Sequence, residues 1–250
     1  MVPYFHYTVI HIGFIPIQVW GLMVALGIYF ATRVAAKKAK QDGLDPNIVW
    51  DFAFWVIVGA FVGARLFQII YFPDLYLKDP LELLKFWQGG FSEMGGFVGA
   101  IIVLLFYFRK HKIAAMRYAD CAAYGLPLGF GIGRIGCFLI HDHPGTLTHF
   151  ILGVKYPDGV RHDHGLYLSI EGFLLFVLFV FLARKKQNAG TFVIAFLILH
   201  GTIRFLLDYL RIGDARYFSL TPAQYVSIGM VFAGIWIMKK NHFQNLLFFS

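Results

Sequence analysis

Charged residues are scarce in this sequence. Asp, Glu, Lys and Arg make up only 14% of its 250 residues, whereas 58% are hydrophobic and 18% are aromatic. A soluble domain has about 25% charged residues, so this composition excludes an ordinary water-soluble fold. In a bilayer only helices or closed barrels satisfy the backbone, and the long apolar runs of this chain favour helices. We therefore predict an all-α fold, a polytopic membrane helical bundle.

Cysteine is also rare. The two cysteines, Cys121 and Cys137, lie in one apolar segment. If that segment is a continuous helix, ~24 Å separate them, which is too far for a disulfide bond. Neither cysteine has a metal-ligand spacing. We expect no metal ion and no cofactor.

The sequence lacks a basic region at its start, an internal repeat and a low-complexity segment. We therefore expect the first span to act as an uncleaved insertion signal. A separate soluble domain is not expected either, because the largest predicted loop, at 140–165, is short and lies on the outer face. The whole chain, 1–250, is predicted to be a single integral membrane domain.

Seven apolar runs are long enough, or nearly so, to cross a hydrocarbon core of about 30 Å, which takes ~20 helical residues. These runs are 15–36, 48–72, 95–108, 117–140, 166–183, 190–210 and 222–238. The third run is short and follows a glycine-rich stretch at 89–96, which is also typical of a re-entrant segment. We expect about seven transmembrane helices.

Basic residues cluster after every second run. The clusters are Lys37, Lys38 and Lys40; Arg109, Lys110 and Lys112; Arg184, Lys185 and Lys186; and Lys239 and Lys240. With seven spans, the positive-inside rule then predicts an outside N-terminus and a cytoplasmic C-terminus. The formal net charge of +8 is explained by this topology, so no nucleic-acid partner is expected. Asp79-Pro80 is typical of a helix start, and residues 79–88 are predicted to form a short helix on the outer membrane surface.

Arg134 lies inside the fourth apolar run. A charged side chain at mid-membrane costs roughly 2.5 kcal/mol or more, and such residues usually face a cavity and mark function. The glycines at positions 129, 131, 133 and 136 permit close helix packing or close approach of a lipid headgroup. The planar guanidinium also donates two parallel hydrogen bonds to a phosphate. We interpret Arg134 as the core of a site that handles a phospholipid.

A second polar stripe lies on the sixth run. His200, Arg204, Asp208 and Arg211 follow one another in steps of four, four and three, which predicts that they share one helix face. One interpretation is an Arg204–Asp208 pair that only neutralises itself in lipid. Such a pair is itself costly to bury, and Arg211 leaves the group net positive. We therefore favour an anion clamp that faces Arg134.

The predicted outer loop carries two similar tripeptides, His141-Asp142-His143 and His162-Asp163-His164. Because histidine titrates near neutral pH, a proton-transfer role for one of them above Arg134 is the favoured hypothesis. Zinc binding is the alternative, although histidines two residues apart in a loop are a weak signal for it. Asp142 before Pro144 is also typical of a turn.

These motifs resemble a known family. The run Gly133-Arg134-Ile-Gly136-Cys137-Phe138 is similar to the Gly-Arg-x-Gly-Asn-Phe signature of prolipoprotein diacylglyceryl transferases. The likeness covers most of the chain and extends to three further stretches in matching order. These are Trp20-Gly21-Leu22-Met23, the run Gly89-Gly90-Phe91-Ser92-Glu93-Met94-Gly95-Gly96, and Arg204 through Asp208 and Arg211 to Asp214.

The resemblance implies an enzyme of the bacterial inner membrane. Such an enzyme moves diacylglyceryl from phosphatidylglycerol to the lipobox cysteine thiol in the signal peptide of a preprolipoprotein, and glycerol phosphate leaves as a thioether forms. By motif, Arg134 and Arg204 correspond to the family's two essential arginines. The resemblance further predicts a substrate-binding set that comprises Trp20, Glu93, Met94, Gly95, Gly96, Gly133, Gly136, Cys137, Gly145, His200, Asp208 and Arg211.

The sequence departs from the family pattern at four of these positions. Met94 stands in place of a histidine, Cys137 of an asparagine, and Trp20 and His200 of tyrosines. Methionine cannot accept a proton, so any base role moves elsewhere. The candidates are Glu93, His200 and the outer-loop histidines. The alternative function is a non-catalytic lipid-binding protein or transporter on the same scaffold, but the absence of an internal repeat disfavours a transporter.

Overall fold

The computed structural model describes residues 1–71, 81, 92–214 and 216–247. The predicted surface helix at 79–88 therefore lies outside the described residues, apart from Leu81. Long helices dominate the described ranges. They are α1 (Val19–Gln41), α2 (Pro46–Tyr71), α3 (Glu93–His111), α4 (Ala115–Ile140), α5 (His164–Leu182), α6 (Thr191–Leu207) and α7 (Pro222–Leu247), with a 3-10 helix at Asp208–Leu210 after α6.

Each of the seven predicted apolar runs coincides with one of these helices. Five of the helices are long and apolar enough to cross a membrane, namely α1, α2 over Pro46–Ile69, α4, α5, and α6 with its 3-10 extension. The chain is therefore a multi-pass membrane protein. Within the described residues, α3 and α7 do not meet the same requirement of length and hydropathy.

Two small sheets correct the all-α prediction. Strands β1 (Val9–Ile12) and β2 (Ile15–Gln18) form an antiparallel hairpin, so α1 begins at Val19 and not at residue 15. The hairpin forms because β-branched residues flank Gly13, whose φ of 63° suits a tight turn. Strands β3 (Pro144–Leu147), β4 (Val154–Tyr156) and β5 (Gly159–Asp163) form an antiparallel sheet in the order β3-β5-β4. The predicted loop at 140–165 is thus an ordered outer sheet.

Helix α4 packs between α1 and α5 through glycines. A Cβ atom on Gly129 would lie 2.6 Å from the carbonyl oxygen of Gly27 in α1. On the other side, a Cβ on Gly172 in α5 would lie 2.7 Å from the backbone nitrogen of Gly131. Because no side chain intervenes, the helix backbones approach closely, as is usual in membrane bundles. The last third of α4, which carries Arg134, is therefore held on two sides.

Two acidic residues within the helices are used structurally, as the sequence predicts. The Asp120 carboxylate of α4 accepts hydrogen bonds from the backbone N–H groups of Phe192 and Val193, at 2.7 and 2.9 Å, and so caps the start of α6. Asp51 of α2 accepts a 2.6 Å hydrogen bond from the Tyr107 hydroxyl of α3. Both carboxylates thus link neighbouring helices.

Side-chain caps fix two helix starts close to the outer sheet. The Asp163 carboxylate accepts a 2.8 Å hydrogen bond from the backbone N–H of Leu166 and begins α5. At the start of α7, the Thr221 hydroxyl accepts from the Gln224 N–H at 3.2 Å, while the Gln224 side chain accepts from the Thr221 N–H at 3.0 Å. This is a capping box, and Pro222 occupies the first helical position, where its missing N–H costs nothing.

Candidate active site

Arg134 is half-buried near the carboxyl end of α4. Its guanidinium lies 5.0 Å from the ring centre of Phe130, and one nitrogen lies 3.8 Å from the Cys137 sulfur. Neither neighbour is an anion. In the part of the chain that the structure describes, Arg134 makes no ion pair with a carboxylate. Its charge is therefore available to an anionic ligand.

The end of α6 supplies two more arginines around a buried carboxylate. Asp208 is fully buried, and its Oδ1 atom lies 3.4 Å from Arg204 and 3.9 Å from Arg211. The Thr221 hydroxyl at the start of α7 also donates to Asp208. Arg211 forms a second ion pair, at 2.8 Å, with Asp214. Asp208 thus holds both arginines in place.

The prediction that Arg211 continues the helical face of α6 is wrong. Helix α6 ends at Leu207, a 3-10 helix covers Asp208–Leu210, and Arg211 has an extended backbone with φ −77° and ψ 149°. The extended backbone arises because Arg211 forms an antiparallel bridge with Gly145 of β3. Arg211 is therefore positioned by the outer sheet and not by helical periodicity.

Gly145 joins the outer sheet to the arginine-bearing segment. A Cβ atom at this position would lie 2.7 Å from the carbonyl oxygen of Leu210 and 3.0 Å from both the Cβ and the carbonyl oxygen of His162. Most of these neighbouring atoms belong to the backbone, so moving them aside would cost considerable free energy. A glycine is thus required for the bridge to Arg211 to form.

His164 is the first residue of α5 and lies at the point where these elements meet. Its side chain is fully buried, and neither ring nitrogen has a hydrogen-bond partner among the described residues. The strand directly before His164, β5, pairs with β3, whose Gly145 bridges to Arg211. The next residue, Gly165, packs so tightly on α4 that a Cβ there would lie 2.5 Å from the Phe138 backbone nitrogen. His164 is therefore brought beside the three arginines by helix packing.

His141 has the opposite environment. Its Nδ1 atom lies 2.7 Å from the Asp163 carboxylate, which also accepts a 2.6 Å hydrogen bond from the Tyr156 hydroxyl. The Tyr4 ring stacks on the imidazole with 4.7 Å between ring centres. Burial, followed by the bond to Asp163, raises the pKa of Tyr156 well above its usual range. His141 belongs to a buried network that ties the N-terminal segment to the outer sheet.

The other two histidines of the tripeptides are more exposed. His143 lies 3.0 Å from Asp142, and its carbonyl oxygen accepts a 3.3 Å hydrogen bond from the His164 N–H. The Nδ1 atom of His162 lies 2.7 Å from the Tyr167 hydroxyl, and partial burial lowers the pKa of His162. No three His, Cys, Asp or Glu side chains of the described ranges converge to hold a metal ion.

His200 is linked to the arginine site through an aromatic ring. Its Nδ1 atom lies 2.7 Å from Glu171 of α5, so the pair neutralises itself within the bundle. The His200 ring meets Phe130 edge to face at 4.7 Å, and Phe130 is the ring that Arg134 covers. His200 thus packs against the same phenylalanine ring that contacts the Arg134 guanidinium.

Residues of α1 form the other wall beside Arg134. A Cβ on Gly136 would lie 3.0 Å from the Met23 Cβ and 3.1 Å from the Trp20 Cα, so α1 closes on α4 here. At Gly133, by contrast, nothing comes nearer than 4.0 Å to an added Cβ. Val24 of α1 thus lies at ordinary van der Waals distance here, and the packing is looser than at Gly136.

Four predicted residues lie at the start of α3. A Cβ on Gly95 would clash with the Gly63 carbonyl oxygen of α2, and one on Gly96 would lie 3.6 Å from the Ala60 carbonyl oxygen. Close packing of α2 and α3 accounts for the glycine at 95. The side chains of Glu93 and Met94 lie outside the described part of the structure, so their predicted roles stay predictions.

Sequence reasoning missed several residues that build the site. The sequence points to Asp163 only as part of the second tripeptide, whereas in the structure it caps α5 and bonds His141 and Tyr156. Thr221 was not singled out, although Thr221-Pro-Ala-Gln224 is a capping-box pattern that indicates a helix start. Tyr4 carried no local signal, because its partner His141 is distant in sequence.

Comparison with known proteins decides the family. The sequence model of the prolipoprotein diacylglyceryl transferase family matches residues 7–239. This chain belongs to that family. Three curated relatives carry the name phosphatidylglycerol–prolipoprotein diacylglyceryl transferase. The protein of Vibrio vulnificus strain YJ016 is 33% identical over an alignment of 249 positions, which covers 94% of this chain and 92% of the relative.

The other two relatives match to a similar extent. The protein of Aeromonas salmonicida strain A449 is 31% identical over 243 residues, covering 92% of this chain and 88% of the relative. That of Chromohalobacter salexigens is 30% identical over 237 residues, covering 90% and 88%. The family model covers residues 7–239, so the arginine site and the outer sheet lie within the region that this chain shares with the family.

Proposed function

We propose that this protein transfers the diacylglyceryl group of phosphatidylglycerol to the lipobox cysteine thiol of preprolipoproteins, with release of glycerol phosphate. The observation that carries the proposal is Arg134. It is a half-buried arginine in a membrane helix, and it has no carboxylate partner among the described residues. A buried cation of this kind needs an anion, and a phospholipid headgroup supplies one.

The arginines fit the chemistry of this transfer. The reaction breaks a carbon–oxygen bond to phosphate, so negative charge grows on the leaving glycerol phosphate. Cations that are already fixed in a dry site stabilise such charge most effectively. Arg134 would hold the phosphate from α4 and Arg204 from α6, while Asp208 keeps Arg204 and Arg211 from turning away.

We propose that the site opens to the outer face of the bacterial inner membrane. The basic clusters lie in the carboxyl-terminal part of α1, α3 and α7 or directly after α5. In a bundle of seven spans, the carboxyl ends of these four helices are all on the same side of the membrane. The positive-inside rule makes that side cytoplasmic. The carboxyl ends of α4 and α6 and the amino end of α5, which carry the arginines and His164, then face outward together with the N-terminus.

This orientation suits both substrates. Phosphatidylglycerol would enter from the outer leaflet, and the signal peptide of a preprolipoprotein would present its cysteine at the same level. Trp20, Gly133, Gly136 and Cys137 would line the lipid headgroup. The remaining predicted contacts, Gly145, His200, Asp208 and Arg211, would act by positioning the arginines.

Mass spectrometry of a lipobox peptide tests the proposal. Purified protein is incubated with the peptide and phosphatidylglycerol vesicles, and we expect the peptide mass to increase by one diacylglyceryl group. Mild base, which cleaves ester bonds, should then remove the two acyl chains and leave glyceryl attached to the cysteine through the thioether. A peptide with serine in place of cysteine, and vesicles that contain phosphatidylethanolamine without phosphatidylglycerol, serve as controls. If the cysteine peptide is never modified, the proposal is wrong. The family match does not favour the alternative of a non-catalytic lipid-binding protein or transporter.

A further inference from the structure

His164 differs from every other histidine at the outer face. Its side chain is fully buried, and both ring nitrogens lack a hydrogen-bond partner among the described residues. A buried polar group without a partner costs about 1–3 kcal/mol, so native proteins rarely keep one without a use. His164 directly follows β5, which pairs with β3, the strand that bridges through Gly145 to Arg211, one of the arginines of the proposed site.

The position of His164 is built by backbone contacts and does not depend on its own side chain. Asp163 caps α5 directly before it, and the His164 N–H donates to the His143 carbonyl oxygen at 3.3 Å. Gly165 then packs against the backbone of α4 at Phe138. The imidazole is therefore held rigidly while its nitrogens stay available.

The charges around His164 are mostly positive. Arg134 faces it from α4, Arg204 from α6, Arg211 from the segment after the 3-10 helix, and His143 from the loop before β3. The nearby carboxylates, Asp208 and Asp214, are occupied by the arginines. A further positive charge on His164 is opposed by the guanidinium groups nearby. A bound phosphate offsets the arginines and makes a proton on His164 acceptable.

We infer that His164 accepts the proton of the acceptor cysteine in the transfer reaction. The inference rests on the proposed function. In this step a ring nitrogen takes the thiol proton, and the sulfur electron pair forms a bond to the glyceryl carbon. The bond from that carbon to the phosphate oxygen breaks, and its electron pair leaves on glycerol phosphate. The proton then passes from His164 to the leaving phosphate, which restores the neutral ring.

The contacts of the other candidate histidines support the choice of His164 as the proton acceptor. His141 has one ring nitrogen bonded to Asp163 and leaves only its Nε2 without a partner among the described residues, His143 is paired with Asp142, and His162 is bonded to Tyr167. His200 is paired with Glu171. Among the histidines predicted from the sequence, His164 alone combines burial, unoccupied ring nitrogens and direct exposure to the arginine charges.

The test replaces His164 with Gln and measures thioether formation from pH 5.5 to 9. Loss of a general base typically costs about 10²–10⁴-fold in rate, so we expect at least a 100-fold loss at pH 7. The loss should shrink towards high pH, because a free thiol ionises near pH ~8.5 without help. His149→Gln, an exposed histidine of the outer loop, is the matched control and should leave both rate and pH profile unchanged.

A peptide with selenocysteine in place of cysteine separates a proton acceptor from a structural residue. The selenol is already ionised at neutral pH, so His164→Gln should lose little rate with this acceptor. His164→Asn is assayed in parallel, and the thermal melting of both variants in detergent reports on folding. A variant that matches the unaltered protein at pH 7 overturns the inference, as does a folded variant whose loss is the same for thiol and selenol at every pH. If the unaltered protein modifies neither peptide, the proposed function itself has failed.

Discussion

Asp163 and His164 are neighbours in sequence, yet they belong to two regions of opposite character. The Asp163 region, with His141, Tyr156 and Tyr4, is a network in which nearly every polar atom has a partner. The His164 region contains three arginines and a buried imidazole without a hydrogen bond among the described residues. Among its described buried side-chain polar atoms, the first region leaves one, Nε2 of His141, without a partner, whereas the second leaves both ring nitrogens of His164 without one and carries an excess of positive charge.

The difference indicates that the first region stabilises the fold and that the second binds the substrate. Saturated networks stabilise the fold, because each buried polar group returns the hydrogen bonds that it lost from water. An unsaturated buried cluster lowers stability and is retained where a substrate completes it. Variants of the two regions should therefore fail in different ways, and the following four predictions are arranged by the size of the expected effect.

Arg134→Lys should remove most transfer activity while the protein still folds. An ammonium group cannot reproduce the bidentate grip of a guanidinium on phosphate, and the loss of one such donor costs about 10²–10³-fold in kcat. The rate is measured with a lipobox peptide. Arg184→Lys, which alters an arginine stacked on Phe181 beyond the opposite end of α5, is the matched control. Near-normal turnover of Arg134→Lys at normal expression would refute the phosphate role.

Gly145→Ala should damage both regions at once. The new Cβ would meet the Leu210 and His162 backbones at 2.7 and 3.0 Å, and this overpacking costs about 1–3 kcal/mol. The bridge to Arg211 must then shift, so the melting temperature and kcat should both fall. Gly229→Ala, where an added Cβ meets nothing within 4 Å, should leave both quantities unaffected or raise stability slightly. A fully active and stable Gly145→Ala protein would show that the bridge is dispensable.

His141→Asn should reduce stability with little effect on turnover by the folded protein. His141 has a left-handed backbone with φ 50°, which asparagine tolerates. The shorter side chain loses the stacking on Tyr4, and we expect a decrease on the order of 2 kcal/mol in the free energy of unfolding. Thermal melting in detergent measures the decrease. A loss of kcat with unchanged melting would move His141 into the catalytic region.

His162 should contribute to a loss of stability in acid. Its pKa in the folded protein lies below the ordinary value of about 6.5, because burial disfavours the charged ring. The unfolded chain therefore binds the proton first, and stability that is complete above about pH 6.5 declines as the pH falls through the folded pKa. His162→Gln should show a smaller drop in melting temperature between pH 7.5 and 5.5 than the unaltered protein. An equal drop in both proteins would contradict the prediction.

The long helices and Arg134 were accessible from sequence because their signals are local. Apolar runs of about 20 residues predict spans, and an arginine inside one of them stands out without any knowledge of its neighbours. Three of the basic clusters lie at or just beyond the carboxyl ends of alternate helices, whereas Lys239 and Lys240 lie inside α7, which continues to Leu247. Only the first span was misplaced at its start, because the alternating residues before Val19 pair in a hairpin.

The roles of the four outer histidines could not be separated from sequence. The two tripeptides are nearly identical, and their difference arises from remote partners. Tyr156 and Asp163 surround His141, whereas helix packing at Gly165 brings His164 to the arginines. The outer sheet was missed for a similar reason, since its strands are short and pair through contacts that no local pattern specifies.

The Thr221 hydroxyl both caps α7 and donates to the buried Asp208 that orients two arginines. The tilt of α7 is therefore mechanically coupled to the geometry of the phosphate site. In the predicted seven-span bundle α7 crosses the membrane, and transmembrane helices tilt to match the thickness of the surrounding hydrocarbon layer. The rate of transfer should accordingly depend on the acyl-chain length of the host bilayer, even when the reacting lipid is the same, and the bilayer itself becomes a regulator of the enzyme.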